Sequence, residues 1–255
     1  MTKTAKKEAE LVDWYKKIPS KFLIKTHNPH FDLHHIKLPM RMLIIGSSGS
    51  GKTQTLLNLL YNMPSTFEKI DIITKNKQEP LYEYLEEKLG KKGVTIKEGL
   101  VNLPDLDKYD RETNSLIVLD DLVNEPAKDQ RPIADYFIRA RKKGCSLIYI
   151  SQSYYAVPKL IRDNLTNLII KQVSSMKNLT MIAREYDLGL EKKDLVKIYK
   201  EATEGSKQNF LMIDLEGNPK ERFRKNLDEY FDISGDEDHP DIQLEDLPDA
   251  KKGKI

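Results

Sequence analysis

A chain of 255 residues, 39% hydrophobic and 32% charged, can bury the core of one large α/β domain beneath a heavily charged surface. Its longest apolar runs, such as 116–119 and 147–150, are strand-sized, so no membrane span is expected, and the start Met-Thr-Lys-Thr-Ala-Lys-Lys has no apolar leader. Cys145 is the single cysteine, which excludes an intrachain disulfide and suits a reducing compartment. The net charge of +2 hides an asymmetry: residues 1–227 carry 39 Lys/Arg against 30 Asp/Glu, whereas 228–250 carry ten Asp/Glu and no Lys/Arg. A basic body suits a polyanionic partner.

In chain order, residues 1–38 read as a basic arm. Lysines 3, 6, 7, 16, 17, 21 and 25 surround a short helix predicted over 8–17, whose Leu11, Trp14 and Tyr15 can dock on a neighbour or on the body. Pro19, Pro29 and Pro39 punctuate the path onward. His27, His30, His34 and His35 cluster there, but without cysteines or paired helical spacing they do not read as a zinc site. From residue 39 to 215 short apolar runs alternate with helix-length segments, the signature of βαβ units and a parallel sheet flanked by helices. Strands are predicted at 41–45, 69–74, 115–119, 146–150 and 167–171, with 94–97 as an edge strand and 208–214 as a late one. Helices are predicted at 53–62, 80–89, 130–143, 156–164, 176–186 and 191–201. Residues 216–255 form a C-terminal segment that ends in an acidic, mobile tail.

The most informative residues are Gly46-Ser47-Ser48-Gly49-Ser50-Gly51-Lys52-Thr53, which match the phosphate-loop pattern G-x-x-x-x-G-K-[ST] between a predicted strand and a predicted helix. The glycines permit a concave backbone nest whose N–H groups point at phosphates, and the helix beginning near Gln54 adds the positive end of its dipole. In this pattern Lys52 reaches the β- and γ-phosphates and the Thr53 hydroxyl ligates Mg²⁺, so ATP with Mg²⁺ is the expected ligand pair.

The run Leu116-Ile117-Val118-Leu119-Asp120-Asp121 delivers two carboxylates to the carboxyl end of a strand, where open α/β sheets bind ligands. Asp120 is expected to hold Mg²⁺ and Asp121 to polarise the attacking water, with Glu125 as a substitute base from the following loop. If the strand 146–150 inserts between the loop strand and the acidic strand, Gln152 lands beside the γ-phosphate and can orient water. Arg139, Arg141 and Arg162 are candidates for an arginine that neutralises γ-phosphate charge from a neighbouring subunit. Asn76-Lys77-Gln78-Glu79 looks like a guanine-specificity motif but precedes the acidic strand, whereas the real motif follows it.

With loop, acidic pair and Gln152 in that order, residues 40–172 resemble the genome-packaging ATPases of large DNA viruses, the poxvirus-type branch of the FtsK–HerA superfamily. Arg139-Ala140-Arg141-Lys142-Lys143-Gly144-Cys145 through Tyr155 is similar to that branch's basic helix end and sensor strand, and Val157-Pro158-Lys159-Leu160-Ile161-Arg162-Asp163-Asn164 to the segment after it. The family pattern often has Arg-His where Arg141-Lys142 stands. The resemblance implies a P-loop NTPase fold with a RecA-like, additional-strand core and a homo-oligomeric ring of five or six subunits. It also implies a motor that drives double-stranded DNA into a preformed capsid without regard to sequence. A capsid or virion-membrane partner and a place in the host-cell cytoplasm, at the virus factory, and in the virion go with it. Other readings of the same motifs are a translocase or helicase of that superfamily, a small-molecule kinase, or a nucleotide-gated assembly factor that does not hydrolyse.

Overall fold

The computed structural model describes residues 11–24, 26–122 and 127–233. Among them the strands are β1 (Arg41–Ile45), β2 (Lys69–Thr74), β3 (Val94–Glu98), β4 (Ser115–Asp120), β5 (Cys145–Ser151), β6 (Asn167–Ile170), β7 (Leu211–Asp214), β8 (Phe223–Lys225) and β9 (Glu229–Tyr230). They join into one nine-stranded sheet in the order β3-β2-β4-β5-β1-β6-β7-β8-β9. The first six pair in parallel, and β7, β8 and β9 continue antiparallel. β5 is the additional strand between β1 and β4: its register sets Ser151 beside Ile45 and Ile150 beside Asp120. The loop after β1 and the acids after β4 therefore flank the end of β5.

The helices are α1 (Trp14–Lys17), α2 (Phe31–His34), α3 (Lys52–Tyr61), α4 (Pro80–Gly93), α5 (Ala127–Arg139), α6 (Lys159–Arg162), α7 (Lys177–Glu185) and α8 (Lys192–Thr203). The central strands are apolar on both faces because helices cover both. One face sets Leu43, Ile45, Ile117, Leu119, Leu147 and Tyr149 against Phe137 of α5, Ile161 of α6, Ile182 of α7 and Leu195 of α8. The other sets Met42, Ile44, Leu116, Val118, Ile148 and Ile150 against Leu56 and Leu59 of α3 and Tyr82 and Leu85 of α4.

Several elements differ from the sequence expectation for local reasons. The helix predicted over 156–164 is only the short α6, because Pro158 sits at ψ 138 as its N-cap and the preceding residues cannot enter the helix through it. The helix predicted to run to 143 stops at Arg139. The next four residues tighten into a 3₁₀ turn closed by Gly144 at φ 70, a left-handed cap suited to glycine. The late strand predicted at 208–214 starts at Leu211. β8 and β9, short strands in what read as the C-terminal segment, extend the sheet. The inner half of the predicted arm belongs to the body: Ile36 and His34 are buried, and the Arg224 guanidinium of β8 donates to the His34 carbonyl at 3.0 Å. Among the described residues the arm helix predicted over 8–17 forms only as α1, since residues 11–13 are not helical; the Asp13 carboxylate caps α1 by accepting the Tyr15 N–H, and Trp14 is exposed. Residues 1–10 and the acidic tail beyond 233 lie outside the described residues.

Candidate active site

The loop from Gly46 to Thr53 is held by its neighbours at the carboxyl rim of the sheet. The Gly46 N–H donates to the Ser151 carbonyl at 3.3 Å, and the Ser47 N–H and hydroxyl both donate to the Gln172 carbonyl at 2.9 Å. A Cβ on Gly46 would meet the Ser50 Oγ at 2.4 Å and the Lys171 Cβ at 2.6 Å, so only glycine fits that first position. Gly49 and Gly51 adopt φ values of 71 and 83, in the left-handed region, and Gly51 is the N-cap of α3. Ser48 is exposed at the loop tip, and Gln54 lies in the first turn of α3. The Lys52 ammonium donates to the Gly46 carbonyl at 2.9 Å and the Ser47 carbonyl at 3.0 Å. Burial lowers its pKa, while Asp120 and Asp121 oppose that shift, which places both carboxylates within its field.

At the end of β4, Asp120 is half-buried. Burial raises its pKa, countered by the hydroxyl of Tyr82, which donates to Oδ2 at 2.7 Å; the Thr74 hydroxyl adds a long contact of 3.5 Å to the same oxygen. The Thr53 side chain lies near the Tyr82 hydroxyl. Thr53 and Asp120 thus both neighbour this phenol, and their hydroxyl and carboxylate are hard oxygen donors of the kind Mg²⁺ takes. Two protein donors suit an ion that completes its shell with phosphate and water.

Asp121 follows at φ 55, an uncommon conformation for a residue other than glycine, with its N–H donating to the Ile150 carbonyl. The turn sets its side chain beside β5, where the exposed Gln152 amide donates to Asp121 Oδ1 at 3.4 Å. Lys52, Asp120, Asp121 and Gln152 therefore meet at one rim. Glu125 lies outside the described residues.

The arginines do not share this rim. Arg139 ends α5 and Arg141 lies in the turn before β5, so both stand at the amino end of the sheet, and Arg141 acts on the pKa of Arg41, the first residue of β1. β5 spans seven residues, which separates that end from Gln152 by about 20 Å. Arg162 is buried: it pairs with Glu185 Oε1 at 2.8 Å and lies over the Tyr154 ring at 5.0 Å. That pair occupies the guanidinium within its own subunit.

Sequence reasoning missed Tyr82 and Lys171. Lys171 follows β6, is buried, and donates through Nζ to the carbonyls of Lys207 at 2.7 Å and Gln208 at 2.9 Å; burial lowers its pKa to about 8. Its ammonium would stand 3.9 Å from a Cβ on Gly51, so it backs the loop from beneath. The available signal was its position, a lysine at the carboxyl end of a parallel strand. Tyr82 carried no such signal.

The profile of the family described as Poxvirus A32 protein matches residues 29–216, well over half of the chain. No curated protein sequence matches it. Among solved structures, the DNA-packaging ATPase B204 of Sulfolobus turreted icosahedral virus is similar with a TM-score of 0.53 at 15% identity, covering 75% of this chain and 98% of B204. The genome-packaging NTPase B204 of Sulfolobus turreted icosahedral virus 2, in complex with AMPPCP, gives 0.50 at 13% identity, covering 74% and 97%. The cytoplasmic domain of the type VII secretion ATPase EccC from Thermomonospora curvata gives 0.51 at 14% identity, covering 77% of this chain and 26% of that one. At these identities the likeness is one of fold.

Proposed function

The chain belongs to the poxvirus A32 protein family, the viral genome-packaging type its motifs resemble, and on that premise we propose that it hydrolyses ATP to translocate double-stranded DNA as a homo-oligomeric ring. The observation that carries the reading is the position of β5 between β1 and β4, which sets Gln152 against Asp121 beside Lys52.

In this mechanism the loop N–H groups and the start of α3 receive the phosphates, and Lys52 exchanges the Gly46 and Ser47 carbonyls for β- and γ-phosphate oxygens. Thr53 and Asp120 would hold Mg²⁺, which when bound neutralises charge on the phosphate oxygens. Asp121 takes the proton of the attacking water, and Gln152, bonded to Asp121, orients that water and senses whether a γ-phosphate is present. Arg139 or Arg141, too far from its own loop, serves the site of the adjacent subunit. Arg162 is left out of this role because Glu185 neutralises it in a buried pair. The basic body supplies phosphate contacts to DNA, which are independent of sequence and weakened by salt.

The test is ATP hydrolysis measured across protein concentration with and without duplex DNA. The reading requires a rate per subunit that rises with concentration and is stimulated by duplexes of unrelated sequence, less so as salt increases. Equal rates with and without DNA at every concentration would overturn the translocase reading.

A further inference from the structure

Tyr82 enters at the first turn of α4, two residues after Pro80, and is fully buried. Its ring packs in the apolar layer beneath β1 and β4, with Met42, Ile44 and Val118 in the same cluster, while its hydroxyl emerges at the rim between Thr53 and Asp120. Among the described residues both hydrogen bonds to the Asp120 carboxylate, from Tyr82 and from Thr74, go to Oδ2, which leaves Oδ1 for the shell of a cation.

We propose that Tyr82 is a positioning residue of the metal site, its hydroxyl fixing one oxygen of Asp120 so that the carboxylate is aligned before Mg²⁺ and nucleotide arrive. This rests on the reading in which Thr53 and Asp120 hold Mg²⁺. Phenol and carboxylate also pair elsewhere in the chain, at Tyr109 with Asp71 (2.6 Å) and Tyr154 with Glu185 (2.6 Å), so the pairing alone says only that a buried hydroxyl finds a partner. What sets Tyr82 apart is that its acid lies at the phosphate rim, beside the loop that carries Thr53. Tyr109, bonded to an acid near the amino end of β2, is the internal control.

The experiment compares AMPPCP affinity with and without Mg²⁺ for the wild-type chain, Tyr82→Phe and Tyr109→Phe, with Mn²⁺ binding to the nucleotide complex read directly by electron paramagnetic resonance. Losing one hydrogen bond to a charged ligand should reduce the Mg²⁺-dependent gain in affinity and the Mn²⁺ affinity of Tyr82→Phe by about tenfold, with metal-free affinity within about twofold of wild type. Tyr109→Phe should behave as wild type. Unchanged metal dependence in Tyr82→Phe, or an equal loss in both variants, overturns the proposal. A wild-type chain that gains nothing from Mg²⁺ overturns the assignment of Thr53 and Asp120 and this proposal with it. Independently of how Tyr82→Phe folds, 3-fluorotyrosine placed at position 82 should shift its fluorine resonance when Mg²⁺ is added to the AMPPCP complex, and a resonance that stays in place overturns the proposal.

Discussion

His34 has both ring nitrogens engaged: Nδ1 accepts the Ile36 N–H at 3.0 Å, so Nε2 carries the proton and donates to Asn28 Oδ1 at 3.1 Å. Burial, reinforced by His35 and Arg224, lowers its pKa to about 4, against a weaker opposing pull from Asp32. The folded chain therefore keeps this ring neutral in a range where the unfolded chain protonates it. Stability is complete above pH 6.5 and is lost as pH falls from 6.5 towards 4, with about 2 kcal/mol gone by pH 5. Denaturant midpoints at pH 7 and pH 5 check this, and His34→Asn should remove most of the difference. Spacing among His27, His30, His34 and His35 carries no sign of which one is buried, because that depends on Arg224 of β8, 190 residues away. The loop residues Gly46 to Thr53 are legible for the opposite reason. Phosphate recognition there uses backbone N–H groups, and the conformations that expose them require glycine at fixed positions.

The loop acts as an element only because the ends of two neighbouring strands, β5 and β6, clamp it. Ser151 and Gln172 accept its N–H groups, Lys171 packs under Gly46, and the Thr55 N–H and hydroxyl return to the Gly51 carbonyl at 2.9 and 3.1 Å. Gly46→Ala would force a Cβ into Ser50 and Lys171, at a cost of about 1–3 kcal/mol that the loop meets by moving. AMPPCP affinity should fall at least about tenfold while the melting temperature drops by only a few degrees, as calorimetry of both quantities can show. Strand and helix identities follow from period and composition, and most were readable, β1, β2, β4 and β5 to within a residue or so at each end. The clamp was not, since Gln172 contributes a carbonyl that any residue possesses. β8 and β9 escaped for a related reason: strands of three and two residues are too short to show a period.

Over the whole molecule the two rims of the sheet divide the chemistry. Acids, lysine and glutamine gather at the carboxyl rim, whereas Arg139 and Arg141, with Lys142 and Lys143, stand at the amino rim. An arginine about 20 Å from its own phosphate loop does not reach it. Mixing Arg141→Ala with Lys52→Ala chains should restore part of the hydrolysis each lacks alone, measured as rate against mixing ratio. Arg162→Met should instead lower the melting temperature by stranding Glu185, and should not complement. A phosphate loop, an acidic strand and alternating βαβ units are legible without the structure, because those signals lie in contiguous residues and depend on local backbone freedom and periodicity. The place of β5 between β1 and β4, the Tyr82 hydroxyl on Asp120 and the pairing of Arg162 with Glu185 inside its own chain emerge only in the folded molecule. Strand order and side-chain partnership arise from packing between segments tens of residues apart, and no local pattern encodes them.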